Sequence, residues 1–220
     1  VPESVFAKWK PTAYPYTFDG ELTVGAVCGG IPSDPKKAEG WLRTKLAGTD
    51  DLIRQAVAEV MVERDIDADA AAEIVSTRKH LNGFKRDETT GVLYIEGRQL
   101  KAGIKEAANV RWPKERWGPS RKGTMSYIAE HFFIQEDRLP LGVTEPSGVN
   151  QRFVHTWKGS GIQYEEYVAD AKIRFTLATD VKFTPEQWAL LWLTGEQQGI
   201  GATRSMGYGR YTVTRWEQTK

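Results

Sequence analysis

The stretch that most restricts what this chain can fold into lies near its C-terminus, where a helix pattern, a glycine loop and a strand pattern follow one another directly. Thr184 can cap a helix, Pro185 suits its first turn, and Trp188, Leu191 and Trp192 share one face, so a helix is expected over 183–193. From Tyr211 to Trp216 the β-branched and aromatic residues alternate as in a strand. Between them, Gly195 to Arg210 holds five glycines together with Thr203, Arg204, Ser205 and Arg210. Bare backbone N–H groups and guanidinium groups in one loop suit a polyanion. A dinucleotide fingerprint needs a strand before its glycines and a helix after them, the reverse of the order here. The competing use is a turn that merely lets helix and strand pack closely. Arg204 and Arg210 are not required by such a turn and favour the polyanion.

Composition sharpens this. The 220 residues suffice for one elaborated domain with a sizeable core. Eight each of Trp, Tyr and Phe leave two uses open, an aromatic core or stacking surfaces. The formal net charge is only +1, yet the charge is segregated: residues 50–73 carry eight acids and two arginines, and residues 98–122 carry eight bases and two glutamates. A nearly neutral chain can therefore present a basic face. The single cysteine, Cys28, excludes an internal disulfide and a cysteine-based zinc cage. No metal site or cofactor is expected. No apolar run approaches a membrane span and no signal-peptide pattern opens the sequence, so a cytoplasmic protein with no membrane partner is expected.

Taken in order, a proline- and aromatic-rich arm over 1–15 precedes a strand over 16–27. Residues 34–84 read as a helical, acidic insertion, a solvated face or a docking surface for a basic partner. Thr90-Gly91 marks a hairpin turn, 92–95 a short strand, and Gly97 the sharp entry to a helix bearing Lys101 and Lys105. The two lysines form either a phosphate rail or a solvated face. Arg111, Trp112, Lys114, Arg116 and Trp117 then interleave bases with indoles in a proline-broken loop, as in single-strand binding, with core packing the competing use of the indoles. Strands are expected over 128–135, 151–157, 162–168 and 171–179, with a Gly159-Ser160-Gly161 turn among them. The element order fits a single α+β domain over 1–220, with a ferredoxin-like or RRM-like βαββαβ core carrying insertions.

Three segments resemble the RAMP superfamily of CRISPR-associated RNA-binding proteins, above all its backbone subunits. The helix, the loop from Gly199 to Arg210 and the closing strand resemble the C-terminal signature of the superfamily. The segment from Thr90 to Lys105 resembles the T-G-x-x-Y-I-P-G-S-S-L-K-G-x-L-R pattern of the backbone subunits, with Glu96, Arg98 and Gln99 in place of the proline and serines and Gly103 one residue late. Glu165-Glu166-Tyr167-Val168 resembles the stretch after their thumb hairpin, which places a thumb-like insertion at 140–170. The resemblance covers a little under half of the chain.

The resemblance implies an RNA-binding subunit that multimerises along guide RNA and holds it for a complementary target nucleic acid. Its partners would be copies of itself and other CRISPR-associated subunits. The RNA contacts, from the resemblance together with the residue patterns, would be Arg98, Lys101, Lys105, Arg111, Trp112, Lys114, Arg116, Trp117, Gly199, Gly201, Arg204, Ser205, Gly207, Gly209 and Arg210, with Arg111 to Trp117 resting on the base–indole pattern alone. Asp34 alone stands loosely where target-cleaving relatives carry an aspartate, so no nuclease activity is carried over. Two alternatives remain open: a RAMP-type endoribonuclease with His80, His131 or His155 as general base near the glycine loop, and a phage or accessory scaffold for single-stranded nucleic acid.

Overall fold

The computed structural model describes residues 14–32, 58, 61–62, 66–69, 80–118, 121–156 and 159–220, without the side chains of 31–32, 80–81 and 152–163. Asp34, most of the acidic insertion, the N-terminal arm before Tyr14 and the side chains of His80 and His155 lie outside the described part. In chain order the strands and helices are β1 (Tyr16–Cys28), β2 (Ile31–Pro32), β3 (His80–Gly83), β4 (Lys85–Arg86), β5 (Leu93–Glu96), α1 (Gly97–Arg111), β6 (Arg116–Trp117) and β7 (Lys122–Gly123). They continue as α2 (Thr124–His131), β8 (Phe132–Ile134), β9 (Arg138–Pro140), β10 (Gly148–Thr156), β11 (Gly159–Thr179), α3 (Pro185–Gln198) and β12 (Tyr211–Gln218).

The chain divides into two compact units, one from residues up to Cys28 with Lys85–Pro146 and Val168–Lys220, the other from Gly29–Phe84 and Ser147–Tyr167. In the first, β1, α1, β8, the C-terminal part of β11, α3 and β12 follow one another as βαββαβ, and the strands lie in the order β12-β1-β11-β8. This is the α+β ferredoxin-like arrangement, in which the first and last strands are sheet neighbours. β4, β5 and β9 form a separate small sheet. In the second unit β10 pairs antiparallel with the N-terminal part of β11, from Gly148 opposite Tyr167 to Thr156 opposite Gly159, and β3 joins β11 in parallel.

Alternation builds the sheet of the first unit. Phe18, Leu22 and Val24 of β1 and Ile173, Phe175 and Leu177 of β11 are buried, while Lys172 and Arg174, which alternate with the latter, are exposed. The outward face is polar: Arg174 Nε meets Glu21 Oε2 at 2.8 Å, and Thr23 and Thr214 hydroxyls lie 3.4 Å apart. The aromatics gather on the inward side. Phe18 stacks on Trp216 at 4.7 Å, and Trp188 lies 4.9 Å from each of them. Trp192 closes on Trp216 at 5.0 Å and on Phe175 at 5.7 Å. Trp188 and Trp192 are each 5% exposed, so these indoles are core.

α3 begins where expected. Thr184 Oγ1 accepts from Gln187 N–H at 3.2 Å and Gln187 Oε1 accepts from Thr184 N–H at 2.8 Å, a closed capping box with Pro185 in the first turn. It runs longer than expected, through Gln198, because Gly195 is a buried helical residue that gives room to the Tyr211 hydroxyl. Two other expectations are corrected. The segment 128–135 is not one strand: α2 occupies it up to His131 and only Phe132–Ile134 is extended. Thr124 and Ile128, four apart, are both buried, a helical repeat that the following apolar run obscures. Strands 162–168 and 171–179 are instead one strand, β11, with Asp170 at φ 51 inside it. Gly159–Gly161 belong to its ladder and pair with Val154–Thr156.

Gly20 is where β1 makes room for the aromatic core. A Cβ there would overlap the Phe175 ring, whose Cε1 would lie 2.7 Å away, beside Trp216 in register. Gly20→Ala is therefore expected to destabilise the fold by about 1–3 kcal/mol through overpacking, read as a lowered urea midpoint. Gly25→Ala, which meets no atom within 4 Å, is the control and should leave the midpoint within error.

Candidate nucleic-acid interface

The glycine loop begins at Gly199 and is built against the end of β1. Gly199 N–H closes α3 by donating to Gly195 O at 2.8 Å, Ile200 N–H donates to Gly209 O at 2.9 Å, and Gly209 N–H donates to Ala26 O at 2.6 Å. Ala202 N–H reaches Cys28 O at 3.3 Å, and Ile200 and Cys28 are buried. Gly209 has φ +76 and a Cβ on it would overlap the Ile200 carbonyl, so only glycine fits. Gly199 and Gly201 are also crowded, by Gly209 and by Val27 with Cys28 O. Three of the four loop glycines thus serve close backbone packing. Beyond them, Thr203 at φ 60 leads into a 3-10 turn over Arg204–Met206, and this tip leaves Ser205, Met206 and Gly207 exposed. Gly207, at φ +90, has nothing within 4 Å of its missing Cβ.

α1 lies beside this loop. Its sharp start follows from Gly97, whose missing Cβ leaves room for the Glu136 carbonyl, and from a capping box in which Glu96 N–H donates to Gln99 Oε1 at 3.0 Å. Glu96 also gathers Lys85 Nζ at 2.7 Å and Arg98 Nε at 2.5 Å, and these two cations hold its carboxyl below the ordinary range. Glu96 and Gln99, two departures from the family pattern, are therefore the cap of this helix. Further along, Gly103 lies where a Cβ would stand 3.0 Å from Ile200 Cγ2, and Glu106 Oε2 takes Arg204 Nη1 at 2.6 Å. Helical spacing puts Gly103 and Glu106 on the flank toward the loop. Lys101 and Lys105 lie on another: Lys101 Nζ stands 4.6 Å over the Phe133 ring, and burial together with the charge of Lys105 lowers its pKa.

The described residues of the Arg111–Lys122 segment form more than a proline-broken loop. Arg116 and Trp117 pair with Gly123 and Lys122 in a two-stranded ladder. Trp112 and Trp117 are half-buried with ring centres 4.9 Å apart, and Trp117 meets Tyr127 at 5.6 Å and Phe183 at 5.5 Å edge-on. Trp117 Nε1 donates to Glu115 Oε2 at 2.6 Å. Arg111, Lys114 and Arg116 remain exposed around the indoles. Among the described residues, Lys105, Arg111, Lys114 and Arg210 have no carboxylate within ion-pairing distance, whereas Arg98 and Arg204 each hold one.

No protein-family model matches the sequence, and none of the curated proteins matches it. Among solved structures the fold is similar to a chain in the cryo-EM structure of the Type III-B Cmr-beta bound to cognate target RNA. The TM-score is 0.50 at 11% identity, with 98% of this chain and 65% of that chain covered. The chain thus spans slightly less than two thirds of that chain's length, and the likeness is one of fold.

His131, the one candidate base with a described side chain, lies away from the glycine loop. Its Nδ1 is 2.9 Å from Asp180 Oδ1 and its ring is 4.4 Å from Tyr127. Asp180 precedes α3 and the glycine loop follows it, so the fourteen residues of the helix, about 21 Å of rise, separate them. Sequence reasoning passed over this pair because His131 and Asp180 are 49 residues apart and nothing local links them. Among the described residues no group of three or more His, Cys, Asp or Glu side chains could hold a metal ion, and no helix is long and apolar enough to cross a membrane.

The loop's two kinds of glycine respond differently to substitution. Gly209→Ala is expected to cost on the order of 3 kcal/mol or more, from positive φ and the overlap with Ile200 together, and to lower the melting temperature sharply. Gly207→Ala meets only the positive-φ penalty of about 1–2 kcal/mol and should melt near the wild type. Thermal denaturation of the two variants side by side checks this. Equal losses would mean that the loop is not built on the Gly209–Ile200 contact.

Proposed function

We propose that this chain is an RNA-binding backbone subunit of a CRISPR-associated ribonucleoprotein, laid along guide RNA in repeated copies. The observation that carries the reading is the union of its two family-like segments. α1 and the glycine loop meet at Gly103–Ile200 and Glu106–Arg204, so residues distant in sequence contribute to one surface. That surface presents exposed Ser205, Gly207 and Arg210 from the loop, while half-buried Lys105 lies on another flank of the helix. Phosphate contacts of this sort position a strand without reading its bases, as a guide-coating subunit requires. The fold likeness to a chain of a Type III-B Cmr-beta structure bound to target RNA supports the same assignment. The Arg111–Trp117 segment, with exposed bases around two half-buried indoles, adds a second candidate strand contact. Guide RNA, its target and copies of the chain itself are the partners of this reading.

The pairing of Arg204 refines the test. A guanidinium already held by Glu106 adds less to phosphate binding than an unpaired one. Arg210→Ala is expected to lower the slope of log K against log salt by about one unit on single-stranded RNA, and Arg204→Ala by less. Glu106→Gln should tighten binding by releasing Arg204. Filter binding across a salt series, with folding checked by circular dichroism, measures all three. Unchanged slopes in a folded Arg204→Ala, Arg210→Ala double variant would remove this surface from the RNA path.

A further inference from the structure

We propose that β12 is a self-complementary edge through which two copies of this chain pair about a two-fold axis at Trp216. Among the described residues no strand pairs the outer edge of β12, the last strand in its sheet. Its ladder with β1 sets which backbone groups face outward. Thr219 N–H donates to Thr17 O at 2.8 Å, and Asp19 and Glu21 lie opposite Glu217 and Arg215. By the alternation of antiparallel pairs, the backbone groups of Arg215, Glu217 and Thr219 turn toward β1, and those of Trp216 and Gln218 turn away. Val213 N–H also faces away, but Glu196 Oε1 accepts it at 2.8 Å, a side-chain cap that closes this part of the edge. The open edge therefore runs from Arg215 to Gln218, beyond the bulge at Thr214.

A second copy fits that edge in one register. With the copies antiparallel about Trp216, residue 216 faces itself and 215 faces 217, and the register ends at the bulge of Thr214. The outward backbone groups of Trp216 then exchange two hydrogen bonds. Arg215 and Glu217, exposed and paired with each other at 2.8 Å within one strand, meet their opposites across the axis twice. Cross-strand charge pairs are directly opposed in this register, where like charges would repel. On the other face Trp216 borders a groove of about 810 Å³ lined by Phe18, Phe183, Trp188, Trp192 and Leu193, and Leu193 is 56% exposed. A paired copy covers that apolar opening. Lys182 and Glu196 balance each other on its lining, which gives a polyanion no reason to enter.

The axis at Trp216 lies about 20 Å of strand beyond Arg210, so the pairing is separate from the loop surface and is tested without RNA. Sedimentation velocity of the RNA-free full chain over a concentration series should show reversible dimers. Arg215→Glu and Glu217→Arg each place like charges opposite one another and should weaken the dimer roughly tenfold or more. An equimolar mixture of the two restores both opposite-charge pairs and should dimerise at least as well as the wild type. That recovery also shows that both variants are folded. A wild type that stays monomeric overturns the proposal, as do dimers indifferent to the single substitutions or a mixture that does not recover.

Discussion

The architecture of the candidate site rests on the backbone contact between Gly209 and Ile200. Ile200 N–H donates to Gly209 O, Gly209 N–H donates to Ala26 O, and the space that a Cβ of residue 209 would need is filled by the Ile200 carbonyl. This knot fastens the returning chain to the end of β1, buries Ile200 and directs the tip at Ser205–Gly207 outward. Ile200 in turn is the surface on which Gly103 of α1 sits, where a Cβ would lie tight against the Ile200 methyl. The helix that carries Lys101, Lys105 and Glu106 is thereby placed by the same few atoms that place Arg204 and Arg210. Rigid elements of this kind hold charged groups at fixed spacing, which phosphate recognition along a strand requires.

The aromatic residues divide between two uses, and burial tells them apart. Phe18, Trp188, Trp192 and Trp216 lean on one another beneath the sheet, with Gly20 opposite Trp216 giving room to Phe175. The outer sheet face, where an RRM-like reading would look for stacking rings, carries Glu21, Arg174, Thr23 and Thr214 joined to each other. The half-buried indoles Trp112 and Trp117 lie among several exposed bases, and even Trp117 is anchored by Tyr127, Phe183 and Glu115. A base stacking there would meet Trp112 more readily than Trp117.

Sequence carried the parts of this fold that local chemistry decides. Thr184 and Pro185 announce the start of α3, Gly97 that of α1, and the alternation around Phe18–Val24 and Ile173–Leu177 the two central strands. It misplaced what packing decides. Gly195 looks like the opening of a loop, yet it continues α3 because the Tyr211 hydroxyl occupies the missing side chain's place. Ile128 looks like part of a strand with Phe132 and Phe133, yet its burial at helical spacing from Thr124 makes it α2. The loop glycines read as openings for a ligand, and of them only Gly207 faces open space; the others crowd against their own chain. One glycine symbol serves both purposes, so sequence alone cannot separate them.

Charge counting along the chain overstates the basic surface, and the ion pairs show by how much. Of the eight bases over 98–122, Arg98 is held by Glu96 and Lys122 by Glu130, while Lys101 sits half-buried over Phe133. Arg204, one of the two arginines that distinguish the glycine loop from a plain turn, is spent on Glu106. What remains without a carboxylate partner among the described residues is a smaller set, Lys105, Arg111, Lys114, Arg116 and Arg121 on or after α1, together with Arg210 at the loop's exit. An ion pair with a phosphate releases counterions only where the cation was not already neutralised, so affinity should follow this reduced set and not the count of basic residues. Glu106 is then the residue that sets how much of the loop's charge is available. It turns a contact that fixes α1 against the loop into one that also governs the strength of the surface they share.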